Sequence, residues 1–400
     1  MVSNVSPGGQ SGPIPAGPPR PRAARPGRSS RSLSEAVLAI ERDLRASEVP
    51  FASMRGAGGL EMAFAGAGTI RRPNGDAALS LLDAPIERLE GHLAICCHRV
   101  PSGGVAPSRL RAFLDGSQKT LLVWRIGLVP VVATVAAAAV LRRDERGEPS
   151  VMPGTLRLRH VWLIPRRTGN RDLRNLLDAL DERGMEVIDP LAYLDDDDAY
   201  AAVANQYGKM IEAAYVAARG VREEVESGLL DEWGERASGA PDGEWLVVDG
   251  RLRLDVPNAI GLVKDVTSQH LVGQEAVDVF ELAPGHRTSA YRPRDNRRSV
   301  PEDDLAAPTA TDRHRPTLWY LRLRDHQGQD ARHALVRVEA PSGVTGTAEI
   351  DRLSAWVMAE RAPRATADAR WDTLLYPIHY LELILKRHIA SSLVGWPGGQ

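Results

Sequence analysis

From Ile126 to Leu141 the chain runs 16 residues without a charge, mostly Val and Ala, between Arg125 and Arg142. Such a run must be hidden from water. A bilayer span needs roughly 20 apolar residues, so the segment is short for that role, and Pro130 sits inside it. Two buried sheet strands joined by a turn account for it better, because a strand covered on both faces loses its polar alternation. A covered sheet in turn calls for helices around it. At 400 residues the chain is long enough for one large core or two.

Hydrophobic content of 43% and charged content of 26% are ordinary for a soluble globular protein. A net charge of −2 gives the whole chain no electrostatic footprint for nucleic acid, so any basic surface must be local. Cys96 and Cys97, the only cysteines, are adjacent and make a poor staple. A reducing, cytoplasmic compartment is expected. Residues 1–31 are rich in Pro, Gly, Ser and Arg. They predict a disordered tail without the apolar stretch of an export signal.

After the tail, an N-terminal helical and irregular region is expected over 32–105. Leu33 to Ala46 carries the spacing of an amphipathic helix, residues 50–80 are Gly- and Ala-rich, and Ala84 to Arg99 reads as part helix, part strand. A single domain is expected over 106–392. Its strands fall at Arg111–Asp115, within Leu121–Val140, and at Leu156–Ile164, Met185–Ile188, Trp245–Val248, Ala259–Val263, Leu318–Leu323 and Ala334–Val338. Helices are expected over Asp172–Arg183, Tyr200–Trp233, Ala348–Arg361 and Pro377–Ile389. The pattern is a mixed α/β domain.

Two strands in this series end in Asp-Gly: Phe113-Leu114-Asp115-Gly116 and Val247-Val248-Asp249-Gly250. An aspartate there projects a carboxylate from the sheet's edge, and the glycine lets the chain turn away. Two such groups on neighbouring strands suit a hard divalent cation, and with it phosphodiester hydrolysis. Each pair alone also reads as a plain turn.

A third carboxylate is sought on the long helix, whose apolar stripe runs Ile211, Ala214, Ala218, Val221, Val225, Leu229. At about 100° per residue, Glu223 points away from that stripe, while Glu224 and Glu226 flank it and either can reach the strand ends. Glu232 lies near the stripe if the helix continues past Gly228. The helix also reads as a plain solvated acidic surface. Lys264 ends another apolar strand, placed either to hold a phosphate or to pair with Asp265. Tyr376 precedes Pro377 at the entrance of the last helix, where exposed N–H groups favour an anion. On that helix His388 falls within the apolar face of Ile378, Leu381, Ile384 and Leu385, and His379 lies opposite. Arg287, Arg292, Arg294, Arg297 and Arg298 lie in a loop over 283–317 that either guides a nucleic-acid backbone or is simply solvated. Asp195 to Asp198 reads as a structural helix start.

Taken in order, Phe-Leu-Asp115-Gly-Ser, the glutamate-bearing helix, Val-Val-Asp249-Gly-Arg-Leu, Ile-Gly-Leu-Val-Lys264-Asp, Val336-Arg-Val-Glu339 and Leu-Tyr376-Pro377 resemble the NurA nuclease family. The resemblance spans about 110–390. It implies an RNase H-like mixed sheet flanked by helices, and a Mn²⁺- or Mg²⁺-dependent DNA nuclease with exonuclease and single-strand endonuclease action. It further implies a homodimer that docks on a HerA-type hexameric ATPase for end resection or phage defence. Carried over by position, Asp115, Asp249 and Glu226 are the metal-binding and catalytic acids, and Lys264 and Tyr376 position the scissile phosphate. His379 and Arg287 are further DNA contacts. The family's usual histidine falls here at Ile384, with His388 as the substitute ligand on the same face and His379 as the alternative. Loss of that histidine leaves open a non-catalytic DNA-binding or adaptor subunit. Glu339 offers a weaker case for another RNase H-like phosphoryl-transfer enzyme.

Overall fold

The computed structural model describes residues 33–54, 60–61, 86–91, 94–102, 107–238, 243–264, 270–293, 315–325, 330–360 and 376–394. The expected tail over 1–31, most of 50–80, Asp265, and Arg294, Arg297 and Arg298 of the 283–317 loop lie outside the described residues.

The uncharged run is the second arm of a long hairpin. Strand β4 (Leu110–Ile126) turns at Gly127–Leu128 into β5 (Val129–Arg143), with Ile126 opposite Val129. Gly127 takes φ 58°, which suits the first position of a tight two-residue hairpin turn. So the run holds one strand and the turn before it, rather than two strands. Residues 129–141 of β5 are all buried, because helices cover both of its faces. Ala136 packs on the side of Ala214 and Ala218, while Ala137 and Ala139 pack on the other. Small side chains let the helix approach the strand closely.

The sheet is α/β and mixed, with 14 strands among the described residues. Its central order is β14 (Leu335–Ala340), β10 (Ala259–Val263), β9 (Trp245–Asp249), β4, β5, β7 (Arg157–Leu163) and β8 (Val187–Ile188). β9 runs parallel to both β4 and β10, and β4, β5 and β7 are antiparallel. β13 (Thr317–Arg322) extends the sheet beyond β14. Region 32–105 contributes to the same sheet: β1 (Ala52–Ser53) pairs with β4, β2 (Ile86–Arg88) with β12 (Tyr291–Pro293), and β3 (Cys97–Arg99) with β11 (His286–Thr288). No helix is found in the described part of 84–99.

One face is covered by α1 (Leu33–Ala46), α2 (Arg171–Asp181), α6 (Thr347–Ala359) and α7 (Tyr376–Ser392), packed around Phe113, Trp124, Trp162 and Trp319. The opposite face carries α4 (Tyr207–Ala237). The single helix expected over Tyr200–Trp233 is two: α3 (Asp197–Ala204) ends at Asn205, and α4 begins after Gln206. The Asp196 side chain caps α3 by accepting from the Ala199 N–H at 2.7 Å, the structural role expected for the acidic run. Among the described residues, no helix is long and apolar enough to cross a membrane.

Candidate active site

The last paired rung between β4 and β9 joins Leu114 to Val248. Asp115 and Asp249 are therefore the next residue on each of two adjacent parallel strands, and they share a sheet face with Phe113 and Val247. Here β9 stops. Gly250 takes φ 111° and turns the chain, a conformation glycine supplies without strain. β4 does not stop. The turn expected after Asp115 is absent, and the strand continues through Gly116 for ten more residues, paired with β5 apart from a bulge between Leu122 and Trp124. Pairing on the far side holds β4 straight where the dipeptide alone would permit a bend. Beyond the end of β9, Ser117, Gln118 and Lys119 are the half-buried stretch of an otherwise buried strand, and they mark the mouth of the site.

Gly116 has a different function from the one its sequence suggests. It faces α4, and the Glu226 side chain lies directly against it. A Cβ at this position would stand 2.8 Å from Glu226 Cδ, 2.9 Å from Cγ, and nearer still to Oε1. Only a residue without a side chain leaves room for that carboxylate. Glu226 lies on the buried stripe of α4 with Val221, Leu229 and Leu230, whereas Val225 is only partly buried. The other glutamates go elsewhere. Glu224, expected to be able to reach the strand ends, points outward to Arg159 at 2.6 Å. Glu223 pairs with Arg253 at 2.6 Å, and Glu232, expected near the stripe, pairs with Arg157 at 2.9 Å in a half-exposed bridge. Glu224 also borders a cavity of about 460 Å³ between α4 and Ile188–Tyr193, which holds none of the other expected site residues.

Two of the acids have a cation close by. Lys264 Nζ lies 2.6 Å from Asp249 Oδ2, and Arg222 Nε lies 3.3 Å from Glu226 Oε1. Asp115 accepts a hydrogen bond from the Gly116 N–H at 2.8 Å. Burial, then the neighbouring Asp249 charge, pushes the Asp115 carboxyl well above its ordinary range; Lys264 opposes this and Glu226 adds to it. Burial also raises Glu226, with Arg222 and Arg253 opposing, and Glu223 and Asp249 reinforcing. The three acids thus feel one another, from both faces of the sheet, through the opening where β9 ends. Among the described residues they do not close into a finished shell of three or more Asp, Glu, His or Cys ligands. Their chemistry, three carboxylates with surplus negative charge, is nevertheless that of a donor set for a hard divalent cation.

Other expected residues separate from this group. Arg287 is fully buried, bound to Glu90 at 2.8 and 2.9 Å and to Asp351 at 2.7 Å. It cannot touch DNA; it ties β11 to α6 and to the segment after β2. Arg292 likewise turns inward, donating to the Ser342 carbonyl at 2.7 Å. His388 is exposed rather than set in the apolar face. The buried stripe of α7 is Ile378, Leu381, Leu385 and Ile389, and His388 lies beside it on the flank of Ile384, so its role as a ligand is not supported. His379 lies on the other flank, 3.6 Å from Glu382. Burial works against the Glu382 carboxylate, yet Lys386, then Lys264 and His379, hold it below its ordinary range. Tyr376 is the first residue of α7, as expected of a residue at the helix entrance. Glu339 faces away, accepting from Arg337 at 2.8 Å and from the Leu252 N–H at 2.9 Å, so it does not join the acids. Sequence reasoning missed Arg222, four residues before Glu226, and Glu382, three after His379; helical spacing alone marks both as neighbours.

No protein-family model matches the chain, and no curated protein matches it either.

Proposed function

We propose that this chain is a metal-dependent DNA nuclease of NurA type. The observation that carries the reading is the placement of Asp115 and Asp249 side by side at the end of β9, with the Glu226 carboxylate seated on Gly116 and Lys264 on Asp249. The strand order supports an RNase H-like core: three antiparallel strands, β4, β5 and β7, then two parallel strands, β9 and β10, laid along the free side of β4.

Asp115, Asp249 and Glu226 would hold Mn²⁺ or Mg²⁺. A bound ion supplies a Lewis acid for the scissile phosphate and a more acidic water. Lys264, at the mouth of the site, carries a mobile ammonium suited to a phosphate oxygen. The entrance of α7 at Tyr376 would offer backbone N–H groups to such an anion. The half-buried Ser117, Gln118 and Lys119 give the strand a polar rim where a nucleic-acid backbone can lie. In this reading the protein works in the cytoplasm as a homodimer with a HerA-type ATPase, in DNA end processing or phage defence.

A second reading is a non-catalytic DNA-binding or adaptor subunit. It is favoured by Ile384 in the position where the resemblance expects histidine, and by the exposure of His388. Labelled single-stranded DNA incubated with MnCl₂ separates the two. Cleavage by the wild-type chain that Asp115→Asn removes, with folding intact by circular dichroism, supports the nuclease. DNA binding without cleavage at any divalent ion concentration overturns it in favour of the subunit.

A further inference from the structure

Three arginines are tied closely to glutamates of α4. Arg253 holds Glu223 at 2.6 Å, Arg159 holds Glu224 at 2.6 Å, and Arg157 holds Glu232 at 2.9 Å. Arg222 is held more loosely. It stands 3.3 Å from Glu226, and its Nε is buried without a hydrogen bond. Its terminal nitrogens have no hydrogen-bond or ion-pair partner among the described residues, and the side chain is 30% exposed. An arginine kept for structure alone has its covered donors filled, because a buried donor left unpaired costs about 1–3 kcal/mol.

Arg222 lies at the mouth of the site. Glu226 rests against Gly116, Leu229 and Leu230 share a core with Ala112 and Leu114, and Ala218 and Val221 share one with Leu122. Helix α4 therefore runs antiparallel to β4 over their contact. Arg222, one turn before Glu226, falls at the level of residues 117–119, the half-buried stretch of the strand. Gln118 follows Gly116 there on the sheet face that α4 covers. Its Nε2 donates to Thr120 Oγ1 at 3.3 Å, while its Oε1 is buried without a partner. Turned over, the amide accepts from the Thr120 hydroxyl and offers Nε2 instead. At this level of β4 and α4, then, a guanidinium and an amide each keep a covered polar atom unpaired, on the sheet face opposite that of Asp115 and Asp249.

Resting on the nuclease reading of Asp115, Asp249 and Glu226, we propose that Arg222 binds a backbone phosphate of the DNA strand on the α4 side of the acids. A planar guanidinium offers two parallel N–H groups to the oxygens of a phosphate, which an ammonium cannot do. The contact is to the backbone, so it positions the strand and reads no sequence. It also supplies a local positive charge that the chain as a whole, at −2, lacks. No proton or covalent bond is transferred.

The test is fluorescence anisotropy of end-labelled single-stranded oligo(dT) with the full-length chain in EDTA, over a series of NaCl concentrations. Wild type is compared with Arg222→Gln, Arg222→Lys, Glu226→Gln and the Arg222→Gln/Glu226→Gln double variant, each checked by thermal unfolding. In Arg222→Gln, loss of one phosphate contact is expected to lower the slope of log affinity against log salt by about 0.7. Arg222→Lys is expected to keep the wild-type slope. The fall is expected to be equal in the Glu226→Gln background, and equal for an oligonucleotide of mixed sequence. An unchanged slope in Arg222→Gln, or an equal fall with lysine, overturns the contact. So does a fall that vanishes in the Glu226→Gln background, because Arg222 then serves only to balance Glu226. Cleavage of the same oligonucleotide with MnCl₂, lost in Asp115→Asn, tests the nuclease reading separately, so the two failures are told apart.

Discussion

Gly116→Ala isolates the contact on which the third acid depends. Gly116 lies in regular strand, outside the left-handed region, so alanine fits the backbone and would by itself stabilise by about 0.4–1 kcal/mol through the unfolded chain. The new methyl, however, would stand 2.8 Å from Glu226 Cδ and 2.9 Å from Cγ, with Oε1 closer, against the 3.4 Å of ordinary contact. The carboxylate must retreat by about 1 Å, a misplacement that costs on the order of 10²-fold in a reaction that depends on the group. Glu226 is buried against Leu229 and Leu230, so relocation also carries an overpacking cost of about 1–3 kcal/mol. Urea unfolding and Mn²⁺-dependent cleavage are measured on Gly116→Ala, Glu226→Ala and the double variant. With Glu226 shortened the methyl has room, so Gly116→Ala is expected to be neutral or slightly stabilising in that background and destabilising in the wild type. Equal stability changes in the two backgrounds, or wild-type cleavage by Gly116→Ala, would refute the reasoning.

Three further outcomes are expected. Gly261→Ala on β10 would bring a methyl 2.6 Å from the Leu252 nitrogen and 2.7 Å from the Gly250 oxygen; both are backbone, so the turn after Asp249 must shift, and urea midpoints should report a loss of about 1–3 kcal/mol. Glu90→Gln removes one of the two carboxylates on the buried Arg287 guanidinium while Asp351 keeps it paired, and should cost about 1.5–3 kcal/mol, with DNA affinity per folded molecule unchanged; a selective loss of DNA binding would restore Arg287 as a surface contact. Burial, then Arg337 and Arg251, lowers the His270 imidazole to about 4, below its ordinary 6.5. The unfolded chain thus binds more protons between those values, and stability is lost as pH falls from 6.5 through 4. At pH 5 this one group should cost about 1–2 kcal/mol relative to pH 7.5, and parallel pH profiles for wild type and His270→Gln would contradict it.

The outer framework was legible wherever pattern alone decides the element. α1 begins at Leu33 and ends at Ala46, and β10 covers Ala259–Val263, both as the spacing predicts. The two Asp-Gly pairs show where local reading fails. They are identical as dipeptides, yet Gly250 turns and Gly116 does not. The difference lies in β5, which pairs with β4 on both sides of residue 116, whereas β9 ends at Asp249 and Gly250, at φ 111°, leaves the strand although β4 runs on beside it. Glu226 was within reach of helical geometry, but the stripe used as reference contained Val225, only partly buried in the folded chain. The break after α3 at Asn205-Gln206 contains neither Gly nor Pro. Arg287 was beyond reach altogether, because its partner Glu90 lies 197 residues away and no periodicity links the two.

The same asymmetry bears on why the acids are there. Three carboxylates converge from two faces at the one place where β4 outlasts β9; Lys264 lies 2.6 Å from Asp249 and Arg222 3.3 Å from Glu226. For the fold alone this is a poor bargain: burial and like charge together disfavour the ionised form of Asp115, and an amide or apolar residue in its place would relieve both. On the reading proposed above, a region that gathers three acids under cover, and gives up a side chain at residue 116 to admit one of them, would be organised around a divalent cation.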